Sequence, residues 1–268
     1  MGAMAVGVRR YLGGTLMVGT NKALGQHWLK NRVVLDEIAD LAVEDNIKLC
    51  LEIGPGLGFL TSSLLKRFDK VIAVEFDERL ATNLPKSFPG KNLEVVHEDI
   101  LKYDFGQISK PYVVVGNIPY YITSPIVERL LTIKNLPTRI VLLVQKEVAE
   151  RIVDEKETQL SLFVKNRANV SAGLIVKKDE FTPPPKVDSE VIIMDPHPPL
   201  VKEEVFGLIK QGFKAPRKKL IHNLSEKTSE KNLKNIFTKL EFDENARPGD
   251  LHLTDWKKMQ DEIDSLNY

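Results

Sequence analysis

The chain lacks most of the features that would mark a secreted, membrane-embedded or metal-binding protein. Its single cysteine, Cys50, can form no internal disulfide and sits in an apolar stretch. A buried structural thiol in a reducing cytoplasm is therefore the expectation. No apolar run approaches the roughly 20 residues a bilayer-crossing helix requires, so no membrane partner is expected. The early patch Leu16-Met17-Val18 is too short for a secretory apolar region and is hemmed in by Gly13, Gly14 and Gly19. Residues 1–20 are set aside as a leader, disordered or tag-derived, with Met1-Gly2-Ala3-Met4 read as an expression scar. His27 has no second His or Cys at ligand spacing, so no metal is expected. There is no internal repeat and no low-complexity tract. Charge of one sign is also missing, since 38 basic against 37 acidic residues leave +1. A net value so small does not announce a nucleic-acid binder.

What is present is an ample core, with 43% apolar and 28% charged residues in 268. Short runs rich in Val, Ile and Leu recur at Lys48–Ile53, Lys70–Phe76, Leu93–Val96, Tyr112–Val115 and Ile140–Val144. Continuous apolar runs of that length read as strands buried on both faces of a parallel sheet. Helical spacings lie between them, as in Val34-Ile38-Leu41 and Phe59-Leu64-Leu65. The alternation predicts a doubly wound α/β domain. Two later strands are expected around Ala172–Val176 and Glu190–Met194. Prolines at 196, 198 and 199 then interrupt the chain, and the pattern beyond is helical throughout. The expected division is a leader at 1–20, a catalytic domain at 21–197 and a small all-α domain at 198–268.

The first long strand runs into Glu52-Ile53-Gly54-Pro55-Gly56-Leu57-Gly58, and Phe59-Leu60-Thr61 opens a helix. Glycines there let the backbone turn tightly and approach a ligand that a Cβ would repel. Dinucleotide enzymes and methyltransferases share such a turn, and a glycine turn serving only chain reversal is the plain alternative. The G-x-G-x-G spacing and the absence of a flanking basic residue favour a ligand without phosphates at this loop. Glu75 ends the second strand 21 residues past Gly54, where a carboxylate can accept ribose hydroxyls. Asp99 follows the third, where it can receive an adenine amine or merely cap a helix.

After the fourth strand comes Asn117-Ile118-Pro119-Tyr120. An aromatic exocyclic amine such as adenine N6 is a poor nucleophile because its lone pair is delocalised. The Asn117 side-chain carbonyl and the Ile118 backbone carbonyl can each accept one of its N–H groups and turn the lone pair outward. Pro119 fixes φ and removes a competing donor, while Tyr120 offers a face on which a flipped base can stack. An ordinary strand-ending turn is the bland alternative.

This tetrapeptide with its upstream Glu-Ile-Gly-Pro-Gly-Leu-Gly resembles the ribosomal RNA small-subunit adenine N6,N6-dimethyltransferases of the KsgA type. Lys22-Ala23-Leu24-Gly25-Gln26-His27-Trp28-Leu29 is similar to the family's N-terminal motif, with Trp28 where Phe is usual. Gln145-Lys146-Glu147-Val148-Ala149-Glu150-Arg151 and Phe181-Thr182-Pro183-Pro184-Pro185-Lys186-Val187-Asp188-Ser189 extend the match to roughly residues 21–260. The resemblance implies a Rossmann-like class I methyltransferase domain with a mostly parallel seven-stranded sheet and a small helical C-terminal domain. It implies S-adenosylmethionine as methyl donor, S-adenosylhomocysteine as product, and two adjacent adenines near the 3′ end of 16S-type RNA as targets. Cofactor contacts would come from Gln26, His27, Leu29, Gly54, Gly56, Glu75, Asp99 and Asn117. Phe181 would stack on the target adenine opposite Tyr120, with a hydrophobic plug over the sheet end as the plain alternative.

The same resemblance gives a role to the basic run from Val205 to Ser225, which holds Lys210, Lys214, Arg217, Lys218 and Lys219 and no acid. Lys214, Arg217, Lys218 and Lys219 would hold RNA phosphates of a small-subunit intermediate, and a solvated helix face is the alternative. The protein is expected to act as a monomer in the cytoplasm. Three other readings stand beside this one. An Erm-type enzyme would act on large-subunit RNA, and an NAD-dependent oxidoreductase would leave Asn117–Tyr120 without a task. A non-catalytic assembly factor would have no use for Glu75, Asp99, Asn117 and Tyr120 together.

Overall fold

All seven apolar runs expected as strands are strands in the computed structural model of the chain, which describes residues 26–266. The expected leader at 1–20 and the Lys22–Gly25 part of the N-terminal motif lie outside the described residues. In chain order the elements are β1 (Trp28–Leu29), α1 (Arg32–Leu41), β2 (Leu49–Ile53), α2 (Phe59–Leu64), β3 (Lys70–Glu75), α3 (Glu78–Asn83) and β4 (Leu93–His97). Next come β5 (Val113–Asn117), α4 (Thr123–Leu130), β6 (Arg139–Gln145), α5 (Lys146–Val153), α6 (Gln159–Arg167), β7 (Ala168–Val176), β8 (Phe181–Thr182) and β9 (Ser189–Pro196). Four helices close the chain, α7 (Glu203–Gly212), α8 (Leu220–Leu224), α9 (Glu230–Lys239) and α10 (Leu253–Ser265).

The main sheet has the order β4-β3-β2-β5-β6-β9-β7, parallel except that β9 runs antiparallel to both β6 and β7. Every residue of β2 is buried, as a strand covered on both faces requires. Alternate side chains feed two apolar layers. Leu51, Ile53, Val114, Leu142 and Val144 pack with α4 and α5 on one face. Cys50, Val113, Val115, Val141 and Leu143 pack with α1 and α2 on the other, so the lone thiol is structural. Chain direction across the sheet reverses between β2 and β5, both of which carry glycine-rich or polar residues just past their carboxyl ends. Such a switch point opens a crevice there.

From Glu203 onward the described residues are helical apart from loops and one short 3-10 turn. Helices α7–α10 enclose their own apolar cluster, including Phe237 and the fully buried Trp256, with Leu162 of α6 joining it. Gly212 is a packing requirement in that cluster, because a Cβ there would fall 2.3 Å from the Trp256 ring. Among the described residues no helix is long and apolar enough to cross a membrane.

A small second sheet was not visible in the sequence. β1 pairs antiparallel with β8, Trp28 opposite Thr182 and Leu29 opposite Phe181, which straps the N-terminal arm to the proline-rich loop. This pairing favours the hydrophobic-plug alternative for Phe181 over the stacking one. The ring is only 3% exposed and packs with Leu29, Leu35 and Val176 in an apolar layer. Strand alternation points Phe181 inward and leaves Thr182 exposed, so the structure does not offer the phenyl face to a base. Phe181→Ala is accordingly expected to lower unfolding free energy by about 3–5 kcal/mol, the usual cost of emptying an aromatic site in a core. Denaturant unfolding checks it, and unchanged stability would return the residue to a substrate role.

Candidate active site

Most of the expected site residues converge on one cavity of about 310 Å³ at the carboxyl edge of the sheet, within the size range of small-ligand sites. Gln26, His27, Leu29, Gly54, Gly56, Glu75, Asp99 and all of Asn117, Ile118, Pro119 and Tyr120 line it. Phe181 does not line it, and neither do Lys214, Arg217, Lys218 or Lys219. Of these four, Lys214 pairs with Glu226 at 3.2 Å. Arg217, Lys218 and Lys219 are exposed, on the loop before α8, and none makes an ion pair among the described residues.

The glycine loop forms the floor. Gly54, Gly56 and Gly58 all have positive φ, at 65°, 57° and 83°, a region that a side chain would strain. Glu75 fixes the loop to β3, accepting from the Gly56 N–H at 3.0 Å and from the Asp77 N–H at 2.8 Å. Burial pushes this carboxyl up, and backbone donors at Asp77, Gly56 and Phe76 pull it part of the way back. A carboxylate has about four lone-pair positions, so capacity remains for a hydroxyl donor. Asp99 lines the cavity and also accepts from the Leu101 N–H at 3.0 Å, so the turn-capping alternative holds together with exposure to the cavity.

The opposite wall is built from the N-terminal arm and β5. The Asn117 amide nitrogen donates to the His27 backbone carbonyl at 3.2 Å. With that nitrogen engaged, the carbonyl oxygen Oδ1 is the group presented to a ligand. The His27 ring donates through Nδ1 to the Pro183 carbonyl at 2.7 Å and stacks on Tyr120, with ring centroids 6.1 Å apart and planes 16° from parallel. Tyr120 is held from its other end by a 2.7 Å hydroxyl bond to the buried Ser189, and burial raises its phenol. Tyr121 and Phe76, 64% and 60% exposed, stand in the cavity lining as bare aromatic surface.

Sequence reasoning missed Ser189, Tyr121 and above all Glu52. Glu52 lies within β2, is 1% exposed and lines the cavity. Neither of its oxygens makes a hydrogen bond of normal geometry. Burial drives its carboxyl up to about 8, Thr61 draws it down by a smaller amount, and the nearby Glu75 charge raises it further. The signal was a lone acid inside an otherwise apolar strand. An unpartnered buried carboxyl is costly, and a cationic or donating ligand group would relieve it. Together with the glycine cradle, it fits a ligand that carries positive charge and no phosphate.

A family model described as "Ribosomal RNA adenine dimethylase" matches residues 17–265. Curated relatives named "Ribosomal RNA small subunit methyltransferase A" include one from Dehalococcoides mccartyi, 37% identical over 254 residues that cover 89% of this chain and 86% of the relative. Another, from Rippkaea orientalis, is 38% identical and covers 88% of this chain and 94% of its own. Among solved structures, a dimethyladenosine transferase from Plasmodium falciparum is similar at 30% identity and a TM-score of 0.71, covering 90% of this chain and 98% of its own. A 23S rRNA methyltransferase, ErmE, is similar at 25% identity and a TM-score of 0.74, covering 88% and 99%. The expected Rossmann-like methyltransferase fold is thereby shown.

The Glu52 environment yields a pH dependence. Between the ordinary carboxylate range and about 8, the unfolded chain has released this proton while the ligand-free folded chain retains it. Stability therefore falls as pH rises through that window, and Glu75 acts in the same direction. Glu52→Gln is expected to flatten the fall, read from denaturant midpoints at a series of pH values. An unchanged slope would remove Glu52 as its source.

Proposed function

The chain belongs to the ribosomal RNA adenine dimethylase family, and on that premise we propose that it dimethylates N6 of two adjacent adenines near the 3′ end of small-subunit RNA. S-adenosylmethionine is the methyl donor in this reading, and a small-subunit intermediate in the cytoplasm is the partner of the monomeric enzyme. The observation that carries it is the placement of Asn117 and Tyr120 on a cavity wall that the glycine loop floors. Backbones meet closely here, since a Cβ on Gly54 would lie 3.9 Å from the Asn117 carbonyl oxygen.

The residues present fit the methyl donor. Gln26, His27 and Leu29 would enclose it from the arm, Gly54 and Gly56 would lie beneath it, and Glu75 would accept its ribose hydroxyls. Asp99 would receive its adenine amine, and Glu52 would face its cationic groups. When bound, that group supplies an electrophilic methyl on a sulfonium. Asn117 Oδ1 and the Ile118 carbonyl would accept the two N–H bonds of the target amine and turn its lone pair toward the methyl carbon. The preorganised Asn117 and Ile118 carbonyl dipoles would stabilise the positive charge that the amine takes on as the methyl leaves the sulfonium, whose S–C bond breaks to give the neutral thioether. The Tyr120 ring, clamped between His27 and Ser189, would stack on the flipped base and add cation–π stabilisation. No strong general base is needed, because the alkylated ammonium is acidic.

The catalytic part would span residues 21–197 and the docking part 198–268. Lys214, Arg217, Lys218 and Lys219 would bind phosphate without reading sequence. The relatives named for the small subunit, at 37% and 38% identity against 25% for the 23S enzyme, support the small-subunit target over the Erm-type one.

Incubating undermethylated small subunits with enzyme and methyl donor should give N6,N6-dimethyladenosine at two neighbouring positions, detected by mass spectrometry of RNA fragments. Methyl gain confined to naked 23S RNA would move the target to the Erm type. Asn117→Ala should lower the single-turnover rate by about 10²-fold or more, with a smaller loss of S-adenosylhomocysteine affinity. A rate within threefold of wild type would contradict the assigned role. The triple variant Arg217→Ala, Lys218→Ala, Lys219→Ala should keep cofactor affinity, lose subunit methylation, and show a shallower dependence on salt. Equal activity at every salt concentration would remove the phosphate contacts.

A further inference from the structure

The cavity wall has a charge problem that its expected ligand must solve. Four carboxyl side chains line it, Glu52, Glu75, Glu98 and Asp99, and among the described residues no lysine or arginine does. The methyl donor proposed above ends in an amino acid, a carboxylate beside an ammonium. The ammonium suits acidic walls, whereas the carboxylate has no cation to meet there and must be held by neutral donors.

Three polar side-chain atoms in this wall are buried without a hydrogen bond of normal geometry, the two oxygens of Glu52, which Thr61 approaches, and the indole nitrogen of Trp28. One is a carboxyl group and the other an N–H that can only donate, so together they complement the two ends of a zwitterion. The Trp28 ring presents its nitrogen edge to the glycine loop, since a Cβ on Gly56 would lie 3.4 Å from Nε1 and 3.6 Å from Cδ1. The strand pairing of β1 with β8 holds this ring in place, and the neighbouring His27 carbonyl is tied to Asn117. A buried indole N–H ordinarily finds a partner, and a vacant one in a ligand cavity marks where an acceptor belongs. The other buried donor atoms without a hydrogen bond of normal geometry among the described residues, on Thr61, Ser63, Arg129, Asn166, Arg167 and Trp256, do not line this cavity.

We propose that the Trp28 N–H donates a hydrogen bond to the carboxylate of the methyl donor, making Trp28 a binding residue through its side chain. The assignment rests on the S-adenosylmethionine reading above.

Titration calorimetry with two probes tests it. S-adenosylhomocysteine carries the amino-acid end, and 5′-methylthioadenosine keeps the nucleoside and lacks that end. Trp28→Phe should weaken S-adenosylhomocysteine by about tenfold or more, the scale of a hydrogen bond to a charged group, and leave 5′-methylthioadenosine within twofold. The second probe also reports that the variant is folded. Intrinsic fluorescence gives an independent readout, because the chain has only two tryptophans and Trp256 is buried in the helical cluster. Emission of the wild type should change on adding S-adenosylhomocysteine, and that change should vanish in Trp28→Phe. Equal weakening of both probes, or no weakening of either, overturns the assignment alone. A wild-type chain that binds neither probe overturns the methyl-donor reading and this assignment with it.

Discussion

The site depends on one tie, the hydrogen bond from the Asn117 amide nitrogen to the His27 backbone carbonyl. An asparagine side chain at a strand end can present either its oxygen or its nitrogen, and only one orientation offers an acceptor to an amine. The arm decides between them, because a backbone carbonyl can only accept. The arm is held in turn by the His27 ring on the Pro183 carbonyl and by the β1–β8 ladder. Asn31 extends the strap, capping α1 with its oxygen while its amide nitrogen donates to Glu180. Three segments far apart in sequence, at 27–31, 117–120 and 180–189, thus set one carbonyl. Tyr120 inherits the same constraint, with the His27 ring against its face and the Ser189 hydroxyl on its own.

Rigidity on that wall is matched by electrostatic tension on the floor. Glu52 and Glu75 sit near the ends of adjacent parallel strands, and the Glu75 charge raises the proton affinity of Glu52. Glu75 has backbone donors to offset burial, while Glu52 has none of normal geometry. A core position of that kind is normally occupied by an aliphatic residue, and β2 supplies Leu49, Leu51 and Ile53 around it. The exception lies where the sheet meets the cavity, so the instability is placed where a ligand can remove it.

The fold was legible because its signals are local. Continuous apolar runs mark strands buried on two faces, and each of the seven runs became a strand with ends shifted by a few residues. The strand-end residues of the site were legible for the same reason, since a parallel sheet brings the carboxyl ends of β2, β3, β4 and β5 to one edge. Phe181 was misplaced because its direction depends on a partner strand about 150 residues away, and a two-residue ladder leaves no periodic trace. Ser189 was quoted within a motif but could not be assigned to Tyr120 without the antiparallel placement of β9 beside β6, which sets Ser189 opposite Gln145. Glu52 was hidden by its neighbours, because an acid beside a glycine loop reads as part of the loop until its burial without a hydrogen bond of normal geometry is seen.

Charge is divided across the molecule in a way that suits the proposed task. An acidic cavity repels a phosphate backbone, and at physiological ionic strength that repulsion reaches about 8 Å. A single neutral base can still enter, because adenine carries no charge and the mouth offers Tyr121 and Phe76 as bare aromatic surface. Backbone affinity must then come from elsewhere, and the exposed Arg217, Lys218 and Lys219 stand outside the cavity on the helical part. A net charge of +1 is the sum of these opposed regions and hides both. Under the proposed function, this separation would let the enzyme grip a folded RNA without drawing its phosphates onto the cavity carboxylates. Under the same reading specificity would be a matter of geometry, since a base would have to be flipped out of its stack before it could pass the acidic rim.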